Sequence, residues 1–410
     1  MKKTIILSLI LIVGLLAAAC GAADQPAPDA APAPSSPAPA ASTESSGGNG
    51  QAPESDFVHP NPDGPDPDPL VDVSEIISGG PPPDGIPPVD QPRFVSVDDA
   101  DDWIGDREPV LFFSIGDDVR VYPIQIMIWH EIVNDVVGGR PVSVTFCPLC
   151  YTAVAMDRQT DHGVLDFGTS GKLYRSALVM YDRQSDSYWL HFTGLAVKGA
   201  LTGTQLDLLP VNIISWADAK ERHPEAKVLS RQTGFSRNYG SNPYFGYDDI
   251  DQRPFLFRGE IDERLKPMAR VVGVDIDGVT RAYPLSFLAD EAEAGNGRSV
   301  IQDRLGGSEV VIFFSFGTTS AVDQSSIADS RDIGATGIFT PHAAGQDLTF
   351  EAVDEGFRDQ ETGTLWNLFG EAVEGDLVGE RLEPLLHLDT FWFAWAAYHG
   401  ETDMWDPAGG

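Results

Sequence analysis

Residues 144–150, Val-Thr-Phe-Cys-Pro-Leu-Cys, decide how this chain is read. Apolar and β-branched residues lead into Cys147, and Thr152-Ala-Val-Ala-Met follows Tyr151. Neither flank carries a helical stripe, so the pattern predicts a strand–turn–strand knuckle. A thioredoxin-like pair would instead open a helix, whose N-terminus lowers the first thiol's pKa. Two thiols at this spacing can close on one metal ion or on each other. The only other cysteine is Cys20, so a four-cysteine metal site is impossible and other side chains would have to complete one.

Working outward, stretches 110–115 and 119–122 read as a strand pair turning at Gly116-Asp117-Asp118. Pro123 then starts a helical stretch in which Ile124, Ile128, Ile132 and Val136 recur at three-to-four spacing, ended by Gly138-Gly139. This reading puts His130 and Asn134 one turn apart on one face. Further strands are expected at 142–146, 152–156, 164–167, 177–181 and 188–192. The predicted class is α+β and strand-rich, with antiparallel, partly barrel-like sheets and short helices.

The chain echoes itself in order. Asp118-Val-Arg-Val-Tyr-Pro matches Gly278-Val-Thr-Arg-Ala-Tyr-Pro, and Asn134-Asp-Val-Val-Gly-Gly matches Gln302-Asp-Arg-Leu-Gly-Gly. Asp182-Arg-Gln-Ser-Asp-Ser-Tyr-Trp matches Asp359-Gln-Glu-Thr-Gly-Thr-Leu-Trp. Two diverged repeats are expected, 69–228 and 255–410, joined by a connection at 229–254. Ser315 falls opposite Cys147 and Thr318 opposite Cys150. Features common to both copies, such as Trp189 and Trp366, read as scaffold, and the thiols belong to the first copy alone.

The candidate catalytic residues are Cys147, Cys150 and Glu131. The candidate metal ligands are His130, Cys147 and Cys150, with Glu131, Asp135 or water in fourth place, a set suited to zinc or copper. The alternative for His130 is a helix-end histidine capping carbonyls. His130-Glu131-Ile-Val-Asn134 is not the zinc-protease pattern, because Asn134 replaces the second histidine. His191, Met156 and Met180 read as core, and Arg175 and Arg183 as anion contacts or ion-pair partners. No phosphate loop, nucleophile elbow or dinucleotide fingerprint is present, so no nucleotide cofactor is expected.

Residues 1–20 read as a bacterial lipoprotein signal: Lys2-Lys3, an apolar run, then Ala17-Ala-Ala-Cys20, with lipidation expected on Cys20. Residues 21–68, rich in Pro, Ala, Ser and Asp, read as a disordered tether. Asp plus Glu number 62 against 27 Lys plus Arg, which argues against nucleic acid and against adhesion to anionic lipid. The expected location is outside the cytoplasm, with the lipid as the membrane attachment.

Gly79-Gly-Pro-Pro-Pro-Asp-Gly-Ile-Pro, Tyr122-Pro, Trp129-His-Glu-Ile-Val-Asn-Asp, Cys147-Pro-Leu-Cys, Tyr181-Asp-Arg-Gln and Phe391-Trp-Phe-Ala-Trp together resemble the domain-of-unknown-function 3179 family. The resemblance runs from about Val71 to the C-terminus. It implies that His130, Glu131, Asn134, Asp135, Cys147 and Cys150 are family hallmarks, and it supplies no substrate. Similar sequences commonly carry glutamine where His191 stands. Two functions fit these residues: a metal- or thiol-redox site, and a non-catalytic binding or scaffolding lipoprotein with a structural Cys147–Cys150 disulfide.

Overall fold

The computed structural model describes residues 57–407. The proposed signal peptide, Cys20 and most of the proposed tether lie outside them. Strand β1 (Pro109–Ile115) pairs with β2 (Asp118–Pro123), and helix α1 (Ile124–His130) follows at once. Strands β3 (Ile132–Val137), β4 (Arg140–Cys147) and β5 (Thr152–Asp157) then make an antiparallel meander. Strands β6 (Phe167–Tyr174), β7 (Ala177–Asp182) and β8 (Tyr188–Leu190) form the middle of a further antiparallel sheet.

The helix is shorter than its apolar spacing predicts. Glu131 takes φ 59°, where no α-helix continues, and Ile132 and Val136 belong to β3. The three-to-four spacing of this stretch fits a strand as well, and its β-branched residues favour one. Gly138 and Gly139 have φ 57° and 79°, the two positive values that a tight β3–β4 hairpin turn requires. They are a hairpin turn and not a helix terminus, and Asn134 is a strand residue rather than a helical neighbour of His130. The sheets are open, and none closes into a barrel.

The later part of the chain runs through β9 (Arg270–Ile276), β10 (Val279–Pro284), α2 (Leu285–Ala294), β11 (Arg298–Leu305), β12 (Ser308–Ser315) and β13 (Ala335–Thr340). Strand β14 (His387–Phe391) pairs with β9 and leads into α3 (Trp392–Tyr398). Several contacts recur. The Tyr122 hydroxyl donates to Asp135 at 2.7 Å, as that of Tyr283 does to Asp303 at 2.8 Å. Trp189 Nε1–H donates to Asp182 at 2.8 Å, as Trp366 does to Asp359 at 2.9 Å.

One buried cluster joins Phe146, Cys147, Cys150 and Tyr151 to Phe391–Ala396. Burying each large side chain contributes about 1.5–3 kcal/mol, so the β4–β5 turn is fixed by apolar packing on the end of the chain. Polar contacts set its position. The Cys150 carbonyl accepts from Phe391 N–H at 3.0 Å and from the Thr390 hydroxyl at 2.9 Å. Thr152 Oγ1 donates to Thr390 Oγ1 at 2.9 Å.

Candidate dithiol site

Cys147 is the last residue of β4 and pairs with Thr152, the first of β5. Pro148 to Tyr151 close the loop, and Tyr151 sits at φ 58°. A non-glycine residue held there costs on the order of 1 kcal/mol, and strain of this kind gathers at functional sites. Tyr151 is held by its hydroxyl, which accepts from Ala321 N–H at 3.0 Å, and by Arg270 stacked 4.3 Å over its ring. The expected knuckle is therefore present.

Both cysteines are free thiols, Cys147 1% exposed and Cys150 fully buried. Cys150 S–H donates weakly to the Cys147 carbonyl at 3.8 Å. Burial pushes the Cys147 thiol well up, and the Cys150 thiol beside it adds to this. The His191 ring and the Cys150 amide pull the other way. Cys147 rests protonated, as a poor nucleophile until a base takes its proton.

Glu131 ends α1. Its N–H donates to Met127 O at 2.7 Å, and its carbonyl accepts from Phe146 N–H at 2.8 Å, which ties the helix end to β4. Burial raises its carboxyl well above the usual range. Cys147 raises it further, and a hydrogen bond with Tyr244 partly offsets both. Burial thus biases Glu131 toward its uncharged form and Cys147 toward its protonated one.

His130, one residue earlier, faces elsewhere. Its Nδ1–H donates to the Pro87 carbonyl at 2.6 Å, so Nε2 carries the lone pair and accepts from the Tyr239 hydroxyl at 2.7 Å. Burial, aided by the charge of Arg237, holds its pKa down to about 4, against the pull of the Pro87 bond. Both ring nitrogens are engaged, so serving a metal would cost it one of these bonds. Asp135 is engaged too: Oδ2 accepts from Tyr122 and Oδ1 from Val136 N–H at 2.7 Å. Asn134 bonds Asp90, Ser143 and both backbone groups of Phe167.

The imidazole that acts on Cys147 is His191, which the sequence reading placed in the core. It is fully buried. Thr145 spends its hydroxyl proton on Val154 O at 2.7 Å, so its oxygen accepts from His191 Nε2–H at 2.9 Å. His191 Nδ1 is then a buried lone pair without a partner. Burial lowers the His191 pKa, and Cys147 raises it. Thr145 and Cys147 sit two apart on β4 and share a face, the signal that could have linked His191 to the thiols. Among the described residues, no group of three or more His, Cys, Asp or Glu side chains is arranged to hold a metal ion.

The connection beyond residue 230 covers the hairpin. Trp129 Nε1–H donates to Ser241 O at 3.2 Å, and the Tyr247 hydroxyl donates to Leu149 O at 3.1 Å. Tyr239 and Tyr244 reach His130 and Glu131, roles that a Tyr- and Gly-rich linker did not advertise. Met156 and Met180 are buried core. Arg175 bonds Ala397 O, and Arg183 pairs with Asp90 at 2.8 Å and Asp84 at 3.3 Å.

A cavity of about 60 Å³ opens onto Glu131, with Tyr244, Leu149, Thr169 and Phe255 in its wall. That is room for a few waters or one small molecule. The Gly79-Gly-Pro-Pro-Pro run builds its far side. Gly171 has φ 68°, and a Cβ there would stand 2.0 Å from Pro81 O.

Residues 83–402 match the family described as a protein of unknown function, DUF3179. The chain belongs to the DUF3179 family. Neither a curated protein nor a solved structure matches it. The family region contains the thiol hairpin, Glu131, His191 and the covering connection, and begins just after Gly79-Gly-Pro-Pro.

Proposed function

We propose that this DUF3179 chain carries a buried redox dithiol, cycling between two thiols and a Cys147–Cys150 disulfide. The observation that carries the reading is a pair of free thiols on one hairpin with the buried carboxyl of Glu131, whose pKa burial and Cys147 raise. With an external disulfide as oxidant, Cys147 sulfur attacks one of its sulfurs and releases a thiol. Cys150 then attacks the mixed disulfide and releases the second thiol. Two electrons pass from the pair to the oxidant, and the two cysteine protons end on the released thiols. Glu131 and the free lone pair of His191 are the groups placed to move those protons. We further read the recurring element series as a duplication, and residues 1–20 as the signal that puts the protein outside the cytoplasm on lipid at Cys20.

One observation favours a second reading. The unpartnered His191 Nδ1 would give the two sulfurs a nitrogen co-ligand for zinc or copper. Intact mass in a series of dithiol–disulfide buffers, with metal analysis of tag-free protein, separates the two. The dithiol reading expects a reversible loss of two hydrogens that Cys147→Ser and Cys150→Ser each abolish. Stoichiometric metal lost in those variants would replace it with the metal reading, and thiols that never exchange would leave only a scaffold.

A further inference from the structure

The chain is acidic almost everywhere, with 62 Asp and Glu against 27 Lys and Arg. Many of its arginines are accordingly paired: Arg107, Arg120, Arg140, Arg158 and Arg183 all meet carboxylates. One groove combines arginines with a wall free of acids. A groove of about 640 Å³, running along residues 91–93 and 231–236, has Arg93 and Arg231 in its wall together with Thr233 and Ser236, and no acidic residue lines it.

The cations there are poorly neutralised. Arg93 is exposed and has no carboxylate partner. Arg237, which follows Ser236 in sequence and is not part of the groove wall, donates from Nη1 to Ser236 O at 3.0 Å, and its Nε is buried without a partner. Arg231 is held rigidly, stacked 4.4 Å over Trp103 with Nε and Nη2 bonded to Gln125. Two acidic groups act on Arg231: Glu108, whose carboxyl burial raises toward its uncharged form, and the Tyr239 phenol.

Guanidinium groups and hydroxyls gathered without a carboxylate suit a small oxyanion, which accepts several charge-assisted hydrogen bonds at once. The net charge of −35 repels anions at long range, so only a local arrangement of donors can hold one. We infer that the groove between Arg93 and Arg231 is a binding site for a small oxyanion of the phosphate type. The site does not depend on the dithiol reading, but it is wired to the same region. Thr233 Oγ1 lies 2.6 Å from the Tyr239 hydroxyl, which donates to His130 Nε2 at 2.7 Å, one residue before Glu131.

The test is titration calorimetry of the full chain with inorganic phosphate at low ionic strength, beside co-sedimentation with phosphatidylglycerol vesicles. Arg93→Ala is the variant, because that side chain is exposed and makes no hydrogen bond or ion pair within the described residues; a thermal melt checks that the variant stays folded. Phosphate should bind saturably at one site, and Arg93→Ala should weaken it about tenfold or more, the loss of one charge-assisted contact. Vesicle binding lost in Arg93→Ala without binding of free phosphate would keep the oxyanion site and assign it to a lipid headgroup. Phosphate and vesicle binding both absent, or both indifferent to Arg93→Ala, would overturn the inference.

Discussion

His130 gives the sharpest prediction, because its neutrality is built into its bonds. The ring is fully buried between a carbonyl that only accepts and a tyrosine hydroxyl that donates. Its pKa falls from 6.5 to about 4. A depressed folded pKa means that the unfolded chain binds the extra proton between those values, so stability is present above pH 6.5 and is lost as pH falls through 4. Integrated from pH 7 to pH 4, the loss is about 3 kcal/mol for this one ring. The perturbation is His130→Gln, which keeps an amide near the two partners and cannot titrate. Urea unfolding of both proteins at pH 4, 5, 6 and 7, at fixed salt, gives the difference in stability. The wild type should lead at pH 7 and lose about 3 kcal/mol of that lead by pH 4, most of it below pH 6. A difference that stays flat with pH would refute the neutral, doubly bonded ring.

Glu131 carries the opposite sign. Its carboxyl is raised by burial and by Cys147, so against Glu131→Gln the wild type should lose about 1.4 kcal/mol per pH unit above 4.5 until it ionises, and equal unfolding differences at pH 4 and pH 7 would contradict this. In the reduced protein, both cysteines should react with a small aromatic disulfide reagent at pH 8 at least a hundredfold more slowly than in urea, and a native rate near the unfolded one would place the sulfurs in solvent. Gly171→Ala should destabilise by about 2–4 kcal/mol, since the new methyl meets the Pro81 carbonyl at a strained φ, and a loss under half a kcal/mol would mean that the Gly79–Pro82 loop is not packed as described.

The knuckle was legible because β-branched flanks and a Pro-containing four-residue loop are local signals, and β4 and β5 fall where those signals put them. The end of α1 was not. Apolar residues four apart also sit two and two apart, so the spacing of Ile128, Ile132 and Val136 admits helix or strand. What decides is the left-handed Glu131, which closes the last helical turn on Met127 and is held by a long-range bond to Phe146. The same limit hid the site's neighbours. His130 adjoins Glu131 in sequence yet turns its ring to Pro87, whereas His191, 44 residues beyond Cys147, acts on that thiol from the end of a strand in a different sheet. Long-range contact of this kind leaves no periodic trace. The tyrosines over the hairpin do so even less, because Tyr239, Tyr244 and Tyr247 come from a segment without regular strands.

The backbone of Cys150 is completed by Thr390 and Phe391, roughly 240 positions later in the chain. A ribosome therefore finishes the thiol loop long before it makes the residues that seal it. Throughout that interval the emerging chain exposes two accessible sulfurs, open to premature oxidation or capture by other proteins. Truncations ending before Thr390 inherit the same weakness, and a fragment stopping at the first half would be the wrong material in which to measure the centre's reactivity.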